Sequence, residues 1–379
     1  MQKIKLGMVG GGKGSFIGEI HRMAARLDGR YQIVAGALSS DPKIAAASAE
    51  ENNIEKSRSY DSFEIMAEKE KELTNGIDAV AIVTPNHLHA SVAKAFLKKD
   101  IHVICDKPIT TELSDAEELE ILTNESGLIF AVTYNYSGYP MVRQAKEMIA
   151  AGKLGNIRII QLEYAQDWLS EGIEKTGHKQ AAWRTNPKYA GKGGAIGDIG
   201  THAFHLAEFI TGLKTSALLA DLESFVAGRT LDDNANILMQ YNNGAKGMLW
   251  VSQVASGKEN GLQVRIYGDK AGIEWSQEEP NQLRYSPLGD SMNIITRAGS
   301  GAGQLSNQAS RLPSGHPEGF IEGFANIYQD TADLIVAHNI GGQIDSLVPN
   351  IQDGVRGIRF IEKAVASNQA GSIWLSLED

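Results

Sequence analysis

Apolar runs of strand length alternate with segments of helical periodicity over the first third of the chain. The run at residues 76–83 has no polar face, which is typical of a strand covered on both sides in a parallel sheet. Further strands of this kind are predicted at residues 3–9, 31–38, 101–105 and 128–135. Because strands and helices alternate with short turns, residues 1–135 are predicted to form a doubly wound α/β domain.

The pattern changes after residue 157, where strands follow one another without helices between them. These strands are predicted at residues 157–164, 217–225, 234–241, 245–253 and 262–268. Several are joined by hairpin turns, so residues 136–379 are predicted to form an α+β domain with a large, mainly antiparallel sheet. Residues 278–315 are polar and are predicted to be mainly loop, with short strands near 283–285 and 292–296. Helices are expected at 320–337 and 351–367. Helices cover only one face of such a sheet, so we expect a homo-oligomer, either a dimer or a tetramer.

The amino-acid composition argues against some classes of partner and predicts a cellular compartment. A length of 379 residues with 42% hydrophobic and 22% charged residues fits a globular protein of two domains. The net charge of -10, without a run of basic residues, argues against nucleic acid or an anionic membrane as a partner. No apolar run has the length of a membrane span, and Cys105 is the only cysteine, so we expect a cytoplasmic protein without a disulfide.

A glycine-rich turn follows the first predicted strand and leads into a helix. In this context glycines allow a pyrophosphate to approach backbone N–H groups at the helix N-terminus. The G-x-G-x-x-G spacing is not met, because the third position is Ser15 and the next glycine is Gly18. A turn without a ligand is the alternative, but the flanking strand and helix favour a nucleotide. The candidate contacts are Gly10, Gly12, Lys13, Ser15, Phe16 and Ile17.

The end of the second strand bears on the choice between NAD and NADP. An acidic residue at this strand end normally binds the ribose hydroxyl of NAD, but Ser39 occupies that position here. Ser40 and Asp41 follow, and no arginine comes directly after them. The nearest charge is negative and would repel a phosphate, which favours NAD and leaves NADP as the alternative.

Two further strand ends carry polar residues toward the same edge of the predicted sheet. Ligands bind at the carboxyl ends of the strands in such sheets. The candidate cofactor contacts there are Thr84, Pro85, Asn86 and His89 after the third strand, and Asp106 and Lys107 after the fourth. A lysine in an exposed turn would be the ordinary explanation for Lys107.

Residues 193–205 combine a glycine-rich loop with a carboxylate and two imidazoles. If a helix begins near Asp198 or Ile199, then Asp198, His202 and His205 share one face of it. An acid and a titratable base would then point to one place, beside glycines that let a ligand approach the backbone. The alternative is an Asp N-cap followed by histidines on a helix surface.

The glycine turn near Gly10, the Thr84-Pro85-Asn86-His87-Leu88-His89 and Asp106-Lys107-Pro108 turns and the loop at 194–202 together resemble the Gfo/Idh/MocA oxidoreductase family, in the family's order. The resemblance implies a Rossmann domain for NAD(H) or NADP(H), a C-terminal sheet domain that oligomerises, and hydride transfer at a secondary alcohol or ketone of a sugar or inositol. The family's catalytic set falls on Lys107, Asp198 and His202. No metal is implied.

The resemblance also assigns roles and shows departures. Asp106 replaces the usual Glu, and His205 stands where many members carry an Asp. Trp183 and Arg184 resemble a pair that precedes the glycine loop in part of the family, so Arg184 would orient Asp198 or bind substrate oxygens. Candidate substrate contacts besides the catalytic set are Tyr164, Asp167, Trp168, His178 and His316.

Physical chemistry gives each member of the catalytic set a task. Hydride leaves a carbinol carbon only as the hydroxyl proton is removed, and histidine has the pKa range for that base, so His202 is our choice. Lys107 would stabilise the developing alkoxide, and Asp198 would orient His202 or bind a neighbouring hydroxyl.

Three other functions are compatible with parts of the pattern. Asp198, His202 and His205 could bind a cation in a metal hydrolase, although that leaves the glycine turn and Lys107 unused. A glycosidase that oxidises its sugar only transiently with NAD, and a non-catalytic sensor of nicotinamide or sugar, would use the same residues.

Overall fold

The computed structural model describes residues 3–378 and divides into two compact units. The first unit comprises the chain up to Asn135 together with Phe324–Val355. The second unit comprises Tyr136–Gly323 together with the chain from Arg356 onward. One segment of the domain expected at 136–379, Phe324–Val355, therefore belongs to the first unit. The reason is packing, because the hydroxyl of Tyr31 donates to the backbone carbonyl of Tyr328 at 2.8 Å.

A five-stranded parallel sheet forms the centre of the first unit and confirms the predicted α/β class. Its strands are β1 (Ile4–Gly10), β2 (Tyr31–Ala37), β3 (Ala79–Val83), β4 (His102–Cys105) and β5 (Phe130–Val132). The helices between them are α1 (Phe16–Leu27), α2 (Pro42–Glu51), α3 (Phe63–Glu72), α4 (His89–Leu97) and α5 (Leu113–Ser126). The strand order is β2-β1-β3-β4-β5, so all the turns that follow the strands lie along one edge of the sheet.

A nine-stranded sheet forms the centre of the second unit and confirms the predicted, mainly antiparallel class. Its strands are β6 (Ile157–Ala165), β7 (Thr215–Glu223), β8 (Asn234–Tyr241), β9 (Lys246–Ser252), β10 (Gly261–Gly268), β11 (Ala271–Ser276), β12 (Gln282–Pro287), β13 (Asn293–Thr296) and β14 (Leu375–Ser376). β6 and β9 pair in parallel, and the other strand pairs described in this sheet are antiparallel.

The remaining helices follow the second half of the chain. They are α6 (Pro140–Ala150), α7 (Lys179–Arg184), α8 (Pro187–Ala190), α9 (Thr201–Thr211), α10 (Gln304–Gln308), α11 (Phe320–Asn339) and α12 (Ile351–Gln369). A π-helical turn at Ile196–Gly200 runs directly into α9. Among residues 3–378, no helix is long and apolar enough to cross a membrane.

Two stretches differ from the sequence-based prediction. Residues 278–315, expected to be mainly loop with short strands near 283–285 and 292–296, contain β12 and β13 at those positions and also α10, which is not predicted. None of the four residues of β13 is buried, so the strand lacks the hydrophobic alternation that identifies a buried one. The strand expected at 128–135 is shorter, because only Phe130–Val132 pairs with β4.

One face of the large sheet carries exposed apolar side chains. Leu238 on β8 lies opposite Met248 on β9, and these residues are 46% and 49% exposed. Ile159 on β6 is exposed to a similar extent. This face, defined by Ile159, Leu238 and Met248, is called the open face below.

Candidate active site

The glycine turn after β1 is shaped by its contact with α1. Gly10 and Gly11 have φ angles of +77° and +71°, which favour glycine. A Cβ on Gly18 would lie 2.3 Å from the Cα of Gly11, so the first turn of the helix and the loop are in backbone contact. These glycines are therefore required by the local packing, independently of any ligand.

The N-terminus of α1 is exposed beside this turn. Ser15 caps the helix by accepting the Gly18 N–H at 3.3 Å, and Phe16 at the first helical position is exposed. A Cβ on Gly14 would have no heavy atom within 4 Å, so the backbone here is open to a ligand. An open backbone at a positively polarised helix end fits the pyrophosphate of a dinucleotide.

Further hydrogen bonds attach this turn to the segment that follows β2. The Gly12 N–H donates to the carbonyl of Leu38 at 3.0 Å, and the Lys13 N–H donates to the Ser48 hydroxyl at 2.8 Å. Together with Ile17 in the first turn of α1, these predicted contact residues all lie at one end of the sheet.

Asp41, expected near the adenosine ribose, caps α2. Its Oδ1 accepts the N–H of Lys43 at 2.8 Å and of Ile44 at 3.3 Å. The Ser39 hydroxyl accepts the Asp41 N–H, and Ser40 is exposed. Capping explains Asp41 without a ligand, so its role in cofactor choice stays a prediction.

His89 was expected to contact the cofactor, but its ring is engaged with the backbone. Nδ1 lies 2.7 Å from the carbonyl oxygen of Pro108, and Nε2 lies 2.8 Å from that of Thr84. The buried imidazole thus joins the turn that contains Pro85 and Asn86 to the turn that contains Lys107. Both ring nitrogens face backbone carbonyl oxygens, and the direct cofactor contact of His89 stays a prediction.

Asp106 holds the backbone of the Lys107 turn. Its Oδ1 accepts the Lys107 N–H at 2.9 Å and the Thr133 hydroxyl at 2.8 Å. The Lys107–Pro108 peptide bond is cis. The shorter acid at position 106 therefore still fixes the turn that carries Lys107.

In the second unit, the helix that carries Asp198 begins earlier than predicted. The π-helical turn starts at Ile196, and the Thr201 N–H bonds to the Ile196 carbonyl, five residues back. The prediction that the helix begins near Asp198 or Ile199 is therefore wrong by two or three residues. π-Helical turns of this kind occur frequently at functional sites.

The glycines before this turn serve packing rather than ligand access. A Cβ on Gly194 would lie 2.0 Å from the Asp232 carbonyl oxygen, and a Cβ on Gly193 would lie 2.6 Å from the Ile196 side chain. We expected these glycines to let a ligand approach the backbone. The structure instead shows that the protein itself occupies the space.

The Asp198 carboxylate is held from two sides. Arg184 Nε lies 3.3 Å from Oδ1, and the Gln253 amide donates to Oδ2 at 2.8 Å. The Arg184 guanidinium stacks 4.3 Å from the centre of the Trp183 ring and 6.0 Å from that of Trp168. The Arg184 and Asp198 side chains keep 25% and 22% of their surface exposed, so the pair is accessible from solvent.

His202 lies in an aromatic and hydroxyl-rich environment. Its ring contacts that of Tyr136 nearly edge-on, with centroids 4.9 Å apart, and it is only 8% exposed. The Tyr136 and Tyr164 hydroxyls are 2.6 Å apart, and Tyr164 also bonds to Asn260 at 2.9 Å. Burial raises the pKa of both phenols, and that of Tyr164 lies well above its usual value, so both stay neutral hydrogen-bonding groups.

His205 has a different environment from His202. Its buried ring stacks on Phe209 with centroids 5.8 Å apart. Lys146 lies over the same Phe209 ring, 4.8 Å from its centre. His205 thus packs against the next turn of its own helix.

The other predicted substrate contacts fall into two groups. The Trp168 indole N–H donates to Gln166 at 3.0 Å, and its ring centre lies 6.2 Å from that of His178, which caps α7. Asp167 accepts the Gly257 N–H at 3.0 Å. His316, by contrast, is exposed in a turn, with Nδ1 3.3 Å from the Ser314 carbonyl oxygen. Trp168 thus lies beside both Arg184 and His178, whereas the described contact of His316 is within its own turn.

No sequence pattern indicates several of the residues that lie around Asp198 and His202. They are Tyr136, Gln166, Asp232, Gln253 and Asn260. Their only shared feature is a position just beyond the end of a strand or just before one, where functional side chains commonly lie. Within residues 3–378, no group of three or more His, Cys, Asp or Glu side chains is arranged to hold a metal ion.

Comparison with known proteins assigns the two parts of the chain. Residues 4–134 match the oxidoreductase family with an NAD-binding Rossmann fold, and residues 142–274 match the GFO/IDH/MocA C-terminal domain. The crystal structure of an oxidoreductase from Sinorhizobium meliloti is 51% identical, with a TM-score of 0.91, over 99% of this chain and 100% of that one.

Two further relatives are similar over most of their length. An inositol dehydrogenase homologue from Azotobacter vinelandii, solved with NAD+, is 34% identical with a TM-score of 0.95, over 99% of this chain and 97% of that one. A levoglucosan dehydrogenase from Pseudarthrobacter phenanthrenivorans is 28% identical over 76% of this chain and 78% of that protein.

The fold, the glycine turn and these matches define an oxidoreductase that uses a nicotinamide dinucleotide bound by a Rossmann domain. More particularly, the chain belongs to the Gfo/Idh/MocA family.

Proposed function

We propose that the protein transfers a hydride between NAD and a secondary alcohol or ketone of a sugar, a sugar derivative or an inositol. The observation that carries the proposal is the arrangement of Asp198 and His202 in one short helical segment, with the carboxylate held by Arg184 and Gln253. The named activities of the inositol and levoglucosan dehydrogenase relatives support the substrate class.

The hydrogen-bonding groups around the two residues suit a polyhydroxylated, uncharged substrate. The side chains bonded to one another beside His202 are phenols and amides, which pair with hydroxyl groups without requiring a charge. The positive charge of Arg184 is balanced by Asp198. Aromatic rings such as Trp168 offer the flat apolar surface against which sugar rings pack.

Each catalytic residue has a stated task in the proposal. His202 removes the hydroxyl proton as the alcohol is oxidised, and it returns a proton in the reduction. Asp198 orients the imidazole or binds a neighbouring hydroxyl. Lys107 donates a hydrogen bond to the reacting oxygen and stabilises its developing negative charge. NAD, when bound, supplies the hydride acceptor.

The cofactor contacts proposed in the first unit are those at the carboxyl edge of its sheet. They comprise Gly10, Gly12, Lys13, Ser15, Phe16, Ile17, Ser39, Ser40, Asp41, Thr84, Pro85, Asn86, Asp106 and Lys107. Trp183 and Arg184 of the second unit are proposed as further contacts. The negative charge of Asp41 favours NAD over NADP. We further propose a cytoplasmic homo-oligomer.

A panel of inositols, aldoses and 3-keto sugars, assayed with NAD(H) and NADP(H) in both directions by nicotinamide absorbance, tests the function. We expect net NADH formation with at least one neutral polyol. A glycosidase that oxidises its substrate transiently would turn over without net NADH, and a sensor would not turn over.

The role of Lys107 is tested by its alanine variant. We expect Lys107→Ala to lower kcat about 100- to 1000-fold, as is typical for loss of a group that stabilises an oxyanion. Lys98→Ala, at an exposed lysine of the same unit, is the matched control and should retain full activity. Equal activity of both variants would contradict the assignment.

A further inference from the structure

Asp232 receives three successive backbone N–H groups from the loop that leads to Asp198. Its Oδ1 accepts from Gly194 at 2.6 Å and its Oδ2 accepts from Ile196 at 2.8 Å. Its backbone carbonyl accepts the Ala195 N–H at 2.8 Å. Asp232 belongs to the connection between β7 and β8, far along the chain from the loop it contacts.

These three donors are the N–H groups that a helix start leaves without intrahelical partners. A helix N-terminus normally obtains its cap from a side chain of its own sequence. Here the acceptors come from Asp232, and its carboxylate also lies at the positively polarised end of the helical segment. Asp232 is therefore a distant N-cap for the π-helical turn.

The loop packs so closely against Asp232 that the position of its backbone is fixed. A Cβ on Gly194 would lie only 2.0 Å from the Asp232 carbonyl oxygen, so any side chain there would displace the loop. The Asp198 N–H in turn bonds to the Gly194 carbonyl at 2.9 Å. The backbone of Asp198 thus follows the position of a residue that Asp232 holds directly.

We propose that Asp232 is a positioning residue, which sets the start of the π-helical turn so that Asp198 and His202 are presented to the substrate. This inference rests on the proposed function, because Asp198 and His202 are the groups that it positions. Asp232 itself bonds to the loop backbone and acts through it.

The isosteric variant Asp232→Asn tests the acceptor function. Asn replaces one acceptor oxygen by an NH2 group, which opposes the N–H of Gly194 or Ile196 instead of accepting it. Glu147→Gln is the matched control, since Glu147 is a partly buried acid of the same unit that accepts the N–H groups of Gln304 and Leu305 at the start of α10.

Two measurements on both variants decide the matter. Hydrogen exchange read by mass spectrometry should be faster at residues 194–196 in Asp232→Asn and faster at 304–305 in Glu147→Gln. With the best polyol of the panel, kcat of Asp232→Asn should fall about 100-fold, since small misplacement of catalytic groups has effects of this order. The dissociation constant for NADH should not change, and Glu147→Gln should keep the wild-type kcat.

Results that contradict the positioning role can be distinguished from results that contradict the proposed function. Wild-type exchange at residues 194–196 in Asp232→Asn, or faster exchange with an unchanged kcat, would overturn the positioning role while leaving the proposed function intact. A wild-type protein that oxidises no member of the panel overturns the proposed function and the positioning role together. If Asp232→Asn does not fold, Gly194→Ala disturbs the same contact from the loop side and should give the same loss of kcat, and full activity of that variant would contradict the inference.

Discussion

His202 is the proposed catalytic base. We therefore expect its replacement to reduce turnover more than the replacement of any other single residue. We expect His202→Asn to lower kcat about 100- to 10,000-fold while the dissociation constant for NADH stays unchanged. His205→Asn, three residues further along the same helix, is the control, because His205 stacks on Phe209. We expect it to lower the melting temperature and to keep kcat within a few-fold. A larger kcat effect in His205→Asn than in His202→Asn would reverse the assignment of the base.

Residues recognised from local motifs and residues found only in the structure differ in the range of their contacts. Asp198 and His202 lie in one short segment, and a motif reveals them. The contacts of Asp232 with Gly194 and of Gln253 with Asp198 span 38 and 55 residues of chain, and no periodicity encodes such a pairing. The glycine-rich motif predicts ligand access at Gly194, whereas the carbonyl that this glycine accommodates belongs to the distant Asp232.

At the level of elements, two variants of Asp41, which caps α2, distinguish an effect on stability from an effect on cofactor choice. Asp41→Ala removes the cap and should lower the free energy of unfolding by about 1 kcal/mol, measured by urea denaturation. Asp41→Asn keeps a good cap but removes the charge, so it should unfold like the wild type. If the charge of Asp41 disfavours NADP, both variants should show a higher kcat/KM for NADP relative to NAD. An unchanged ratio in both would show that Asp41 only caps α2.

Periodicity identified the elements that are buried on a regular face and missed those whose limits depend on other parts of the chain. The strands and helices of the first unit follow from apolar runs and turns, since each is covered by its neighbours. The helical start at Ile196 was not predictable, because the partners of its first N–H groups lie on Asp232. β12 and β13 are predicted only as short strands within a loop, because they carry too few buried residues to give a strong pattern.

For the whole molecule, the open face predicts self-association. Exposed apolar side chains on a broad sheet are stabilised when a second copy covers them. We expect Leu238→Lys combined with Met248→Lys to lower the molar mass measured by light scattering after gel filtration. Ile121→Lys, which replaces an exposed apolar residue on α5, is the control and should leave the mass unchanged. A wild-type mass equal to that of one chain would contradict the proposed homo-oligomer.

The sequence does not predict that Phe324–Val355 belongs to the first unit. The contacts of this segment explain both the division of the chain into units and a dependence of stability on pH. Tyr328 on α11 lies 2.7 Å from Nδ1 of the buried His21, so residues 307 positions apart in the chain pack together. The same burial that joins these segments excludes water from the imidazole and disfavours its charged form.

Two buried histidines of the first unit should make stability depend on pH below neutrality. Burial lowers the pKa of His21 and of His102 from 6.5 to about 4, and Nδ1 of His102 accepts the Ile129 N–H at 3.0 Å, which requires an unprotonated nitrogen. Between pH 6.5 and 4 the unfolded chain binds more protons at these sites, so stability is fully present above pH 6.5 and is lost as the pH falls. Each histidine should reduce the free energy of unfolding by about 2 kcal/mol between pH 7.5 and 5.0. In urea denaturation at both pH values, His102→Gln should show a correspondingly smaller difference than the wild type, whereas His316→Gln, at an exposed turn, should show the full one. Equal pH dependence in the wild type and His102→Gln would mean that His102 is not held neutral in the folded protein.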